Sequence, residues 1–365
     1  MSRFLIAAVL LASSSLASHD AKQFILATNR TDGVIELLNP SSLKTLGRIH
    51  VELPPDSMGL NDISASADGS TIYVRGVSPS EPKACCSRYS IDLATLQMSP
   101  VVRMPGSGQG LVVSDGIAYQ IPESAGIYSF LDNDLYRSPD GRWLFGILNR
   151  RGGVFDEHGP AVDVYDLVQG GVHKLTPAES TELVGFSGAG SGDRFYAYGS
   201  RAGGAPPRLW TVSPGATNIG DGVEIEQLPE SSICPQTGFA SWRIAASENS
   251  VFIYEHYGNV GDPRTSCPDT LQGGAWRVDP ATGRLLQHVA PGLHFSVLTS
   301  DRIEPVFYGL SNGGSRGEFS VELVVIDARD GHILQSRALN TGPWAISTAM
   351  LRLAPEGDVR AIQSR

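Results

Sequence analysis

One strand-turn-strand unit recurs about every fifty residues along most of this chain, and this limits the fold more than any other feature. Two late copies are Gly274-Ala275-Trp276-Arg277-Val278-Asp279-Pro280-Ala281-Thr282-Gly283-Arg284-Leu285-Leu286 and Leu323-Val324-Val325-Ile326-Asp327-Ala328-Arg329-Asp330-Gly331-His332-Ile333-Leu334. Each is a strand ending in Asp, a tight turn closed by Gly, and a second strand. The Asp-capped strand also occurs at Tyr89-Ser90-Ile91-Asp92 and Val162-Asp163-Val164-Tyr165-Asp166 and, without the Asp, at Val34-Ile35-Glu36-Leu37 and Leu209-Trp210-Thr211-Val212. A second signature puts the turn first, as in Ser66-Ala67-Asp68-Gly69 before Thr71-Ile72-Tyr73-Val74 and Ser138-Pro139-Asp140-Gly141 before Trp143-Leu144-Phe145. Weaker copies start at Gly192, Glu248 and Asp301. Asp-Gly and Pro-Asp-Gly supply the backbone angles that tight turns need, and the residues that follow are β-branched and aromatic. Repetition at this period predicts a radial, all-β architecture, a β-propeller.

The copies place blades near 61–104, 110–130, 135–177, 182–229, 241–290 and 295–340. A further blade is expected to be split: three strands from 24–51 and a fourth from the C-terminal segment, so that the chain ends pair and remove an open sheet edge. That makes a seven-bladed propeller. Because 110–130 is too short for four strands, six blades is the alternative. No low-complexity linker interrupts the repeats, so residues 18–365 read as a single domain.

Residues 1–17 read as a cleaved signal peptide. Arg3 gives a minimal positive start, Phe4 to Ala12 is an apolar run, and Leu16-Ala17 offers a small-residue cut site. The run is about half of the roughly 20 residues that a membrane-crossing helix needs. The expected destination is the periplasm or the exterior. Twenty-four Arg against four Lys fits a GC-rich bacterial genome. The net charge of −10, without a basic cluster, argues against nucleic acid or an anionic membrane as partner.

An even cysteine count in an exported chain points to disulfides. Cys85, Cys86, Cys234 and Cys267 allow three connectivities. Cys234–Cys267 with an adjacent Cys85–Cys86 pair is the expected one, while separate partners for Cys85 and Cys86 stay open.

Chemical motifs are sparse. Gly309-Leu310-Ser311-Asn312-Gly313 fits the pattern of a hydrolase nucleophile elbow. The glycine-rich stretch after it cannot start the helix that motif requires, so it reads as a loop. The eight histidines show no metal-binding spacing, and no metal site is expected. Asp132 and Asp134, in Asp132-Asn133-Asp134, are oxygen-rich candidates for binding but equally ordinary turn residues. Glu255, His256 and Tyr257 end a strand and open a long loop to Gly274. Glu255 and His256 are candidates for an acid–base pair or for ligand contact, against a solvated polar rim as the plain alternative. The five tryptophans lie in or beside strands and read as packing residues.

The repeat resembles those of YVTN-type bacterial β-propellers, with Ala27-Thr28-Asn29 standing where that family carries its short signature. Residues from about 240 to 350 resemble the heavy chain of methylamine and aromatic amine dehydrogenases. Phe307-Tyr308-Gly309-Leu310-Ser311, Val325-Ile326-Asp327-Ala328-Arg329-Asp330-Gly331 and Gly342-Pro343-Trp344-Ala345-Ile346 carry that resemblance. It implies a periplasmic seven-bladed scaffold with no cofactor on this chain, docked to a small quinone-bearing subunit. A stand-alone propeller binding another periplasmic protein or ligand is the rival expectation, and a lactonase-like hydrolase is a third. Quinoprotein alcohol dehydrogenases also use propellers and an adjacent-cysteine disulfide. Their repeats place Trp after Thr-Gly, whereas Arg284 follows Thr282-Gly283 here, which disfavours direct quinone binding.

Overall fold

The computed structural model describes residues 23–29, 33–51, 60–66, 71–76, 87–92, 95, 98–100, 110–114, 117–121, 135–138, 140–147, 160–166, 168–178, 183–201, 206–226, 228, 241–247, 250–256, 273–301, 304–313, 320–341 and 349–355. All regular elements among them are strands. β1 (Gln23–Asn29), β2 (Val34–Leu38) and β3 (Thr45–His50) join the last strand, β26 (Ala349–Pro355), in a sheet of order β26-β1-β2-β3. Four further sheets are four-stranded, antiparallel and sequential. They are β10 (Leu135–Arg137), β11 (Trp143–Gly146), β12 (Val162–Asp166) and β13 (Gly171–Leu175); β14 (Leu183–Ser191), β15 (Arg194–Arg201), β16 (Arg208–Val212) and β17 (Val223–Glu224); β18 (Ser241–Ser247), β19 (Ser250–His256), β20 (Ala275–Val278) and β21 (Leu285–Val289); and β22 (His294–Ser300), β23 (Val306–Gly313), β24 (Ser320–Asp327) and β25 (Ile333–Thr341).

The sixth sheet differs. β4 (Leu60–Ser66), β5 (Thr71–Gly76), β6 (Ser87–Asp92) and β7 (Met98–Pro100) form the usual meander. The hairpin of β8 (Gly110–Ser114) and β9 (Ile117–Ile121) then joins it through a short parallel contact, Ala65 with Ile117 and Ser66 with Ala118. The segment read from sequence as a separate blade at 110–130 thus contributes a hairpin to its neighbour's sheet. A succession of four-stranded antiparallel sheets is consistent with a propeller.

The repeated turn explains the repeated sequence. In each of three copies the fifth residue's N–H donates to the first residue's carbonyl at 2.8 Å: Gly170 to Asp166, Gly283 to Asp279 and Gly331 to Asp327. The glycines sit at φ of 76°, 73° and 75°, where an L side chain is strained. The opening Asp side chain caps the turn by accepting backbone N–H groups, Val168 and Gln169 for Asp166 and Ala281 for Asp279. Apolar residues on both faces of the strands bury between successive sheets, and aromatic pairs cross the joints. Phe145 stacks on Phe195 at 5.6 Å, Phe252 meets Phe307 edge-on at 4.7 Å, and Tyr254 meets Phe295 at 6.3 Å. Trp210 is fully buried, while Trp143, Trp242 and Trp276 pack half-buried at the edges of these clusters.

Two successive joints also share one contact. The outer strand of one sheet, or the residues just after it, meets the last turn of the next: Glu226 N–H donates to the Gly283 carbonyl at 3.0 Å, and Val289 lies against Gly331. Successive sheets here therefore face the same way.

Candidate functional site

That common orientation gives the sheets two unlike ends. At one end β14 and β15, and likewise β18 and β19, are separated by two residues of chain, and β16 and β17 by ten. At the other, the second and third strands are joined by longer connections: fifteen residues (147–161) after β11 and eighteen (257–274) after β19. Glu255 and His256 end β19 at this loop end. Register sets position 255 opposite Trp242 and position 256 opposite Ser241. Period-two alternation puts 255 and 256 on opposite faces of the sheet. Position 255 shares its face with Trp242, Trp276 and His288, because Ile244, Ile253, Trp276 and His288 form one cross-strand row.

The chain re-enters the sheet through Gly273 and Gly274, at φ of 57° and 77°. A Cβ on Gly273 would lie 2.6 Å from the Leu293 carbonyl, and one on Gly274 would lie 2.5 Å from the Val289 carbonyl. Only glycine fits both the angles and the space. Gly274 N–H donates to the Leu293 carbonyl at 2.6 Å. His288 closes the step from the other side. Its Nε2 lies 2.9 Å from the Gly273 carbonyl, which can only accept, so Nε2 carries the proton. The His288 ring stacks on the Trp276 indole at 4.1 Å, with 7° between the planes. Both side chains are half-buried. The result is a stacked Trp276–His288 pair, half-buried and tied to the Gly273 carbonyl, at the loop end of this sheet.

Ser311, in the glycine-flanked motif, falls within β23 and not in a loop. The strand pairs on both sides, so Gly309 to Gly313 take ladder positions. Ser311 is buried, and its Oγ accepts the His294 N–H at 3.2 Å. Both features are unlike a nucleophile elbow. Among the described residues no three His, Cys, Asp or Glu gather as metal ligands. Also among them, no helix is long and apolar enough to cross a membrane. Cys85, Cys86, Cys234, Cys267, Asp132, Asp134 and Tyr257 lie outside the described residues, as does the segment read as a signal peptide.

Sequence reasoning passed over the Trp276–His288 stack. The two are twelve residues apart, and a bulge between Arg277 and Val278 shifts the register that would join them. The usable signal was Gly273-Gly274 directly before a strand, which marks a positive-φ entry.

No protein-family model matches the chain, and no curated protein matches it. Solved structures do match along most of its length. TolB from Acinetobacter baumannii is 12% identical, with 92% of this chain and 67% of that one covered and a TM-score of 0.46. The dihydro-heme d1 dehydrogenase NirN is 11% identical over 93% and 76%, at a TM-score of 0.42. Apo AztD from Citrobacter koseri is 13% identical over 92% and 99%, at 0.41. These are likenesses of fold and assign no activity to this chain.

Proposed function

We propose that this protein is an exported, seven-bladed propeller scaffold that docks a protein partner on its loop end. The observation that carries the reading is the asymmetry between the two ends. Three Asp- and Gly-closed turns lie at one end, while the two long connections that follow β11 and β19 start from the other, where the stacked Trp276–His288 pair also sits. Long loops held on a rigid frame are the usual place for recognition. Seven blades follow from counting the hairpin of β8 and β9 as a blade of its own beside the meander of β4 to β7. The ring closes in this reading because β26 pairs with β1 over seven residue positions and lies beside β4, while β8 lies beside β10.

The partner expected from the family resemblance is a small quinone-bearing subunit, with no cofactor or metal on this chain. Native mass spectrometry of the complex purified from its own periplasm, without reductant, tests this. A stoichiometric small chain carrying a quinone-type mass addition supports it. A lone mature chain at all protein concentrations overturns the docking reading, and a partner without that addition overturns the quinone subunit alone.

A further inference from the structure

The sheet β22–β25 meets the sheet β26-β1-β2-β3 through a joint unlike its neighbours. The first sheet's turn, Asn39 to Lys44, has the hydrogen bonds of the other copies: Leu43 N–H to the Asn39 carbonyl at 2.8 Å and Asn39 N–H to the Lys44 carbonyl at 2.9 Å. At the fifth position, where Gly170, Gly283 and Gly331 stand elsewhere, this turn holds Leu43 at φ 53°. A leucine at that angle is strained, so something in the surroundings must hold it.

The neighbouring sheet does so. At the two preceding joints the turn glycine lets the earlier sheet approach closely: a Cβ on Gly283 would lie 1.9 Å from the Glu224 carbonyl, and one on Gly331 1.9 Å from Val289. Leu43 instead fills its joint. It is buried in a cluster with Tyr308, Leu310, Val321, Leu323 and Val325 of the β22–β25 sheet. Its carbonyl accepts from Arg337 of β25 at 2.5 Å, and the same guanidinium donates to Glu36 at 3.0 Å and to Thr45 Oγ1 at 2.9 Å. Gln335 donates to the Ser41 carbonyl at 2.6 Å. Glu36 is also bound by Arg48 at 2.7 Å. These contacts join residues near the start of the chain to residues almost 300 positions later.

We infer that Leu43 and Arg337 form a latch: an apolar plug and a charged clasp that hold the sheet containing both chain ends against β22–β25, independently of the pairing of β1 with β26. The strained leucine is seated only while the joint is shut, so opening this seam relieves the backbone strain at Leu43.

Hydrogen exchange on the full chain tests the latch, comparing wild type, Leu43→Ala and Arg337→Met. Leu43→Ala keeps the strained angle and removes the plug, and Arg337→Met keeps the plug and removes the clasp. The expected result is at least a tenfold faster exchange in peptides covering 33–51 and 333–341 in both variants, with 183–201 unchanged. Exchange at the wild-type rate in both seam peptides of Arg337→Met overturns the clasp. Faster exchange spread equally into 183–201 in either variant overturns a localised latch. If Leu43→Ala does not fold, Arg337→Met alone decides by the same readings.

Discussion

Asp166 shows how much one side chain does at a turn of this chain. Its carboxylate accepts two hydrogen bonds from Arg142, at 2.6 and 3.0 Å, and the backbone N–H groups of Val168 and Gln169. The Arg142 hydrogen bonds, helped by those N–H groups, hold its pKa down from 3.8 to about 2. Asp327 is lowered in the same direction, chiefly by its hydrogen bonds to Arg329, and Asp279 chiefly by the Ala281 N–H. A carboxylate with a depressed folded-state pKa favours folding above its unfolded value, and that contribution fades as pH falls through the folded value. Stability should therefore decline between about pH 4 and pH 2. Arg142→Met should move the acid-unfolding midpoint upward, with a smaller difference in high salt because Arg142 is 39% exposed. Near-ultraviolet circular dichroism during acid titration reads this directly. Superimposed curves for the two proteins would remove the ion pair from the account.

Strands and turns are largely legible in the sequence. The segments read as Asp-capped form β2, β6, β12, β16, β20 and β24; in all but β16, which Ser213 follows, an Asp or Asn at the turn leaves a local composition signature. The parallel joining of β4 and β9 is not legible, because contacts between distant segments leave no periodicity in either one. The same limit hides the Trp276–His288 stack, while Glu255 and His256 are visible as a strand end before a long loop. Their placement on opposite faces needs the strand to be extended as far as residue 256. A glycine inside a strand is likewise visible, but its reason lies in a distant neighbour. Gly190 in β14 faces the Tyr136 ring of β10, where a Cβ would fall 1.8 Å from the ring, and the Tyr136 hydroxyl donates to the Gly192 carbonyl at 2.8 Å. Gly190→Ala must displace that ring and should cost about 2–3 kcal/mol, the upper range for overpacking. Gly192→Ala meets open space, and only its φ of 60° opposes it, for about 1 kcal/mol. Urea unfolding with equal m-values should rank them in that order, and the reverse order would mean that backbone strain outweighs packing at this turn.

At the scale of the whole molecule, one sheet is assembled from the two chain ends while its four-stranded neighbours are sequential. β26 pairs with β1 from Gln23 opposite Pro355 to Asn29 opposite Ala349, so β26 supplies β1's only partner on that side. Two rearrangements separate the strand's presence from its covalent route. A chain ending at residue 348 leaves β1 as an open edge, exposing unpaired backbone N–H and carbonyl groups that invite aggregation. A permuted chain that carries residues 349–355 on a short linker ahead of residue 23 restores the same pairing. It makes the first sheet sequential like its four-stranded neighbours and gives up only the covalent route through the whole chain. The truncated chain should unfold at lower denaturant and scatter light on standing, while the permuted chain should stay clear and keep the native circular dichroism spectrum. Both differences follow from edge protection. If the truncated chain matches the full one in midpoint and solubility, the pairing of the ends contributes nothing to the fold, and the remaining joints, the Leu43 seam among them, must hold the first sheet in place.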